Sequence, residues 1–232
     1  MSATVQNVID EVRLAIQDTD GANYRWADAE LIKYVNAASR QIVALVPEAN
    51  IVETIATISN NIARQSLPAG GIKFLKAGRN VSVVNGTTQE GPIRYVEKDV
   101  LDGFDPNWEY DTTIKTLAGS TDFFEHYTHD KRSPKVYFLY PPASASAYAE
   151  IQYSAIPTAM TIVGDTIPLG DEYLEAYYTY MTFRALTKEA RESMPSEYRT
   201  GLWNNFLQAL GLKVQADDRV SPEGQNVPPE AS

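Results

Sequence analysis

Only two histidines occur among the 232 residues, and they stand together in His126-Tyr127-Thr128-His129-Asp130. Two imidazoles with a following carboxylate would form part of a metal site if a third ligand arrived from elsewhere. A strand, however, turns positions three apart to opposite faces, and no Glu lies between the two as in a zinc-binding helix. The default reading is a polar strand edge that runs into the Asp130-Lys131-Arg132-Ser133-Pro134 turn. Carboxylates gather at Glu97, Asp99, Asp102, Asp105, Glu109 and Asp111. That stretch offers general acid/base or calcium chemistry, yet it lacks the calcium-loop spacing, and sequence does not set two carboxyls at glycosidase separation. A solvated loop or a subunit-contact surface is its default. Lys73, Lys76 and Arg79 surround a single Phe74 and read as a charged loop tip that meets an acidic neighbour. Ala69-Gly70-Gly71 is not followed by Lys and Ser/Thr, so it is no phosphate loop, and neither a nucleophile elbow nor a dinucleotide fingerprint occurs. There is no cysteine, which excludes disulfides, thiolate nucleophiles and cysteine zinc sites. No catalytic, cofactor-binding or metal-binding residue is assigned, and no cofactor is expected.

The elements that would position these groups fall into three stretches. Thr4 can cap a helix over about 5–17 that places Val5, Val8, Ile9, Val12 and Ile16 on one face. After the Asp18-Thr19-Asp20-Gly21 break, a second helix covers about 27–46, with Leu31, Val35, Ala38, Ile42 and Leu45 in its stripe and Pro47 as its stop. The middle reads as short strands at 51–58, 80–84, 92–96, 135–140 and 149–154, with a helical turn near 97–102. Helical periodicity returns at about 172–190, through Leu174, Tyr177, Met181 and Ala185. It returns again at 197–210, through Tyr198, Leu202, Phe206 and Ala209, with Gly211 just past the end and the turn at 193–196 between the two.

One-sided helices at both chain ends bury their stripes most readily against each other. The expected fold is therefore α+β. A discontinuous four-helix bundle is built from 1–50 and 167–214, and an antiparallel β-sandwich or barrel is inserted at 51–166. Residues 215–232 turn polar, Pro- and Gly-rich, and are expected to be disordered in an isolated subunit.

Composition narrows function further. The net charge is −10, and no segment of the chain carries a basic excess, which argues against tight phosphate-backbone binding. No run approaches the roughly 18 apolar residues of a membrane span, so no membrane partner is expected. The N-terminal residues lack a signal core. Tyrosine is abundant, 14 residues against 7 Phe and 3 Trp. Tyr177, Tyr178 and Tyr180 either face a partner or rim the bundle core, and the sequence leaves both open.

From Tyr24-Arg25-Trp26 through Asp28, Glu30-Leu31, Tyr34-Val35-Asn36 to Ile42, the chain resembles the signature of tailed-bacteriophage head-to-tail adaptor (connector) proteins. Val100-Leu101-Asp102 with Asp105-Pro106-Asn107-Trp108, then Phe138-Leu139-Tyr140-Pro141-Pro142 and Ser154-Ala155-Ile156-Pro157, are similar to later segments of that family. So is Ile167-Pro168-Leu169-Gly170-Asp171-Glu172-Tyr173, which opens a helix with Tyr180 and Arg184-Ala185-Leu186. The family favours Ser where this chain has Ala27, a loss of about 1 kcal/mol unless Asp28 caps instead.

The resemblance implies a non-enzymatic structural subunit of the virion neck, made in the host cytoplasm. Its helical bundle would dock beneath the portal, and its β-rich domain would meet tail nozzle or tail-tube proteins. Such subunits form a homo-oligomeric ring, a dodecamer, through which DNA passes without specific binding, and their C-terminal tail orders against the portal. An acidic lumen would keep passing DNA from adhering. Two alternatives remain: a virion-associated cell-wall hydrolase using the 97–111 carboxylates, and a host-surface binding module using the Tyr-rich β domain.

Overall fold

The computed structural model describes residues 3–59, 61–82, 89–110, 123–143, 147–189 and 196–220. Among them are five α-helices and two four-stranded sheets, so the class is mixed α+β as the sequence predicts. The chain divides into two compact units, Met1–Ala49 with Pro157–Ser232, and Asn50–Ile156. Asp111, positions 83–84 of the expected strand, the 193–195 turn and residues 221–232 of the expected 215–232 tail lie outside the described residues; 215–220, expected to be disordered, are helical.

In the first unit, α1 (Val5–Ala15) begins with a capping box: the Thr4 hydroxyl accepts from the Asn7 amide at 3.3 Å, and the Asn7 carboxamide accepts from the Thr4 amide at 2.9 Å. Val5, Val8, Ile9 and Val12 are all fully buried, which is the expected face. The second helix, α2 (Asp28–Leu45), buries Leu31, Val35, Ala38 and Ile42; Leu45 is 46% exposed because the helix ends there. Pro47 disfavours helical backbone at Val46, which leaves the α region at φ −126° and ψ 83°.

A 3₁₀ turn at Asp171–Tyr173 leads into α4 (Leu174–Glu189), whose Tyr177, Met181 and Ala185 are buried. It packs against α1, against α2 and against α5 (Ser196–Val220). That last helix buries Phe206 and Leu210, while Tyr198, expected on its stripe, is 51% exposed. Nor does it stop at Gly211. Leu212, Lys213, Gln215 and Ala216 are good helix formers that offset the roughly 1 kcal/mol a mid-helix glycine costs, and the helix runs on to Val220.

The second unit holds β1 (Ile51–Ile58), β2 (Arg64–Ser66), β3 (Gly71–Val81), β4 (Gln89–Pro92), β5 (Arg94–Tyr95), β6 (His126–His129), β7 (Val136–Tyr140) and β8 (Ala147–Ala155), with α3 (Lys98–Phe104) between β5 and β6. One sheet has the order β1-β8-β3-β4 and the other β2-β7-β6-β5. The β5–β6 pair is parallel, whereas an all-antiparallel arrangement was expected. Its connection runs through α3 and is long enough for the crossover a parallel pair requires.

One core cluster draws Phe74, Ala77, Ala149 and Ile151 from the first sheet and Tyr127, Tyr137 and Leu139 from the second. Phe74 stacks on Tyr137 with centroids 4.5 Å apart and planes within 7°. A smaller cluster of Ala63, Leu101, Trp108 and Tyr140 lies against α3.

The sequence places a loop tip where β3 begins. Gly70, at φ +85°, sits at the third position of a turn closed by the Gly71 amide on the Pro68 carbonyl at 3.0 Å, and this turn feeds the strand. The strand then pairs with β8 through three register shifts, between Gly71 and Lys73, Phe74 and Lys76, and Ala77 and Asn80. Each bulge adds one residue and turns the pleat. The buried positions therefore fall at Gly71, Phe74, Ala77 and Asn80, three apart instead of two, and at the last residue, Val81.

Candidate functional site

The longest family-like stretch, Tyr24 to Ile42, is organised around a buried cation. Helix α1 ends with Gln17 in the left-handed region at φ 57°, the Gln17 amide reaching the Leu14 carbonyl at 3.3 Å and the Asp18 amide reaching the Arg13 carbonyl at 2.9 Å. This turn carries the Asp18 carboxylate back over the helix, where its Oδ2 accepts from Arg13 Nη1 at 2.6 Å. Arg13 Nη2 donates to the Trp26 carbonyl at 2.7 Å and to Asp28 Oδ1 at 2.8 Å. The Asp18 carboxylate also accepts the Arg25 amide at 2.8 Å and the Trp26 amide at 3.2 Å. Tyr24 covers the guanidinium face at 3.6 Å. Arg13 is only 4% exposed and Asp18 7%, so their mutual charge and five hydrogen bonds offset the desolvation of both. Asp28 is thereby committed to Arg13. Ala27 begins α2 with no side-chain cap, as the sequence suggested.

The next residues fasten α2 to its neighbours. Trp26 meets Tyr34 with ring centroids 6.3 Å apart, and the Lys188 ammonium of α4 lies 4.7 Å above the Trp26 ring. Lys188 ion-pairs with Glu30, whose carboxylate also accepts from the Tyr34 hydroxyl at 2.8 Å. The Lys188 and Tyr34 hydrogen bonds hold the Glu30 carboxyl below its ordinary value. Burial and Glu30 push the Tyr34 phenol up to about 12. Asn36 clamps the backbone of Met160, donating to its carbonyl at 2.8 Å and accepting its amide at 2.9 Å. Ser39 and Tyr177 share a hydroxyl–hydroxyl bond of 2.7 Å.

In the second unit the two histidines diverge, as the strand period requires. His126 stacks on Tyr140 at 6.3 Å, whereas His129 turns to Phe74 at 5.6 Å and Tyr95 at 5.9 Å. Burial, with Lys73 and Lys131 nearby, lowers the His129 pKa against the opposing pull of Asp130. Among the described residues no three His, Cys, Asp or Glu side chains group as a metal site.

The acidic stretch folds around an indole. Trp108 Nε1 donates to Asp102 at 2.7 Å, Lys98 pairs with Glu109 at 2.6 Å, and Asp105 accepts the Asn107 amide at 2.9 Å. Those three carboxylates build the α3 turn. Lys73, Lys76 and Arg79 lie along β3, not on a loop tip, and Lys76 stands opposite Gln152 and Lys73 opposite Ser154.

The sequence model of the SU10 adaptor protein family matches residues 3–228. The chain belongs to that family. A search of curated proteins finds no match.

In this SU10 adaptor, the polar and aromatic residues of the signature stretch described above bond to backbone, to rings or to one another. Arg13, Asp18 and Lys188 belong to that framework too; the sequence reading took Asp18 only as part of a helix-breaking turn and passed over the other two. Their signal was weak: a basic residue on the apolar face of a helix, five residues before an acid in a turn. Of the tyrosines left open by the sequence, Tyr177 is fully buried and Tyr180 nearly so, which makes both core residues. No helix among the described residues is long and apolar enough to cross a membrane.

Proposed function

We propose that this adaptor is a structural ring subunit of a phage neck, joining the portal to tail proteins around a channel through which DNA passes. The family match across 3–228 carries the reading. Support comes from chemistry as well: in the signature stretch and in the 97–111 stretch, the polar side chains described above bond to backbone, to aromatic rings or to one another. Asp20, Glu30 and Asp165 are held below the ordinary carboxylate range, the opposite of what a general acid needs. On this reading α1, α2, α4 and α5 form a four-helix bundle that docks under the portal. The two sheets form a sandwich that meets nozzle or tail-tube proteins, and twelve copies close the ring in the virion. An overall charge of −10 suits a lumen that lets DNA slide.

Residues 221–232 serve as an arm that orders on the portal. Electron microscopy of the full chain mixed with its portal tests the reading, the expected image being a ring of density beneath the portal. A mixture that stays as free portal and free chain at micromolar concentrations rejects it. Removing 221–232 is expected to weaken that attachment while circular dichroism stays that of the parent.

A further inference from the structure

The helical unit also carries a groove that shares Tyr34 and Lys188 with the framework above and extends beyond it. One part, about 690 Å³, is lined by Tyr34, Phe183, Arg184, Thr187, Lys188 and Arg199. A second, about 390 Å³, shares Phe183, Thr187 and Arg199 with the first and continues along α5 to Trp203. Its walls are aromatic: Phe183 and Trp203 lie 5.5 Å apart, and Tyr34 sits 5.4 Å beneath the Arg184 guanidinium. Its rim is cationic. Lys188 is paired with Glu30, but Arg184 and Arg199 have no ion-pair partner among the described residues. The Thr187 hydroxyl in the wall is buried and has no hydrogen-bond partner among the described residues.

These features select one chemistry. Adjacent aromatic faces take proline rings in extended backbone, guanidinium groups take carboxylates, and a buried hydroxyl donor takes a carbonyl. The chain's own segment Ser221–Ser232 contains Val227-Pro228-Pro229-Glu230, carries two acids and no base, and lacks amides at its prolines. We propose that the groove seats segment 221–232 of a second copy of this chain. Pro228 and Pro229 lie on Phe183 and Trp203, Glu230 pairs with Arg184 and Arg199, and a prolyl carbonyl accepts from Thr187.

The same copy's segment is poorly placed for this. From Trp203 to Val220, α5 rises roughly 26 Å away from the groove. Residues 221–228 span at most about 29 Å when fully stretched, which leaves only about 3 Å for the reversal. The groove holds the arm in chains that are not on a portal, since one arm cannot occupy the portal and a neighbour's groove together.

The absence of cysteine permits a clean test in the full chain. Under mild oxidation, the Thr200→Cys/Ala231→Cys variant, which keeps Arg184, Arg199 and Glu230, is expected to form chain-to-chain disulfides at least about tenfold faster than Leu14→Cys/Ala231→Cys, whose Leu14 is exposed elsewhere on the unit. Adding Arg184→Glu or Pro228→Ala/Pro229→Ala is expected to remove most of that advantage while circular dichroism and melting stay those of the parent. Equal rates in the two cysteine pairs overturn the proposal. So does a disulfide that forms only within one chain, or an advantage that survives both added changes.

Discussion

Helix α1 and strand β3 have the same length, 11 residues, and both bury one face, yet only one declares that face in its own residues. In α1 the hydrogen bonds are internal, so the period of 3.6 belongs to the segment and Val5, Val8, Ile9 and Val12 spell it out. In β3 the period belongs to the pair. Eight residues of β8, Ala155 to Tyr148, set the register for the 11 of β3, and three bulges absorb the excess. A helix can be read alone; a bulged strand needs its partner. The two units also fix their interiors by different means, one around the paired charges of Arg13 and Asp18, the other around the stacked rings of Phe74 and Tyr137.

The sharpest way to break this contrast is to remove each fixed point. Arg13→Ala leaves Asp18 buried and unpaired, so a loss of about 3–5 kcal/mol is expected in urea unfolding. Phe74→Ala opens a cavity in the strand core and is expected to cost a similar, roughly 3–5 kcal/mol. Hydrogen exchange should distinguish the two, with amides of α1 and α2 losing protection in the first variant and those of β3 and β8 in the second.

Alkali is expected to act on both units. Burial raises Tyr177 to about 12 and raises Tyr137 as well, so each favours the folded state below pH 10, and that contribution is lost as the pH climbs from 10 through the folded value. Tyr177→Phe should flatten the fall between pH 10 and 12 by up to about 2 kcal/mol, measured as unfolding free energy against pH. Smallest of all, Ala27→Ser supplies the missing cap of α2 and is expected to add about 1 kcal/mol, read as a rise in melting temperature.

Much of the framework was legible because it is local. The Thr4 cap, the Pro47 stop, the α1 and α4 stripes and the opposite faces of His126 and His129 follow from periods and termini. What escaped needed distant partners. The basic residues from Lys73 to Arg79 read as a loop because their strand alternates by three, and β5 joined β6 in parallel through only two residue pairs. Arg13 looked like an ordinary helix residue until the turn at Gln17 returned Asp18 to it. The α5 end was misjudged at Gly211, where propensity on both sides outweighs one glycine.

Before α1 lies a small join with large temporal reach. The Ala3 amide bonds Asp171, the Val5 and Gln6 amides bond the carbonyls of Asp165 and Val163, and Thr4 bridges Thr166. On the ribosome, these partners and α4 emerge after more than a hundred intervening residues, on the order of ten seconds later. Throughout that wait Val5, Val8, Ile9 and Val12 have α2 beside them but lack the α4 surface of the finished fold, whereas Asn50–Ile156 already possesses its described strands. The nascent chain thus completes its middle before its beginning, and a chaperone that shields the first helix would protect the yield more than one that waits for the end.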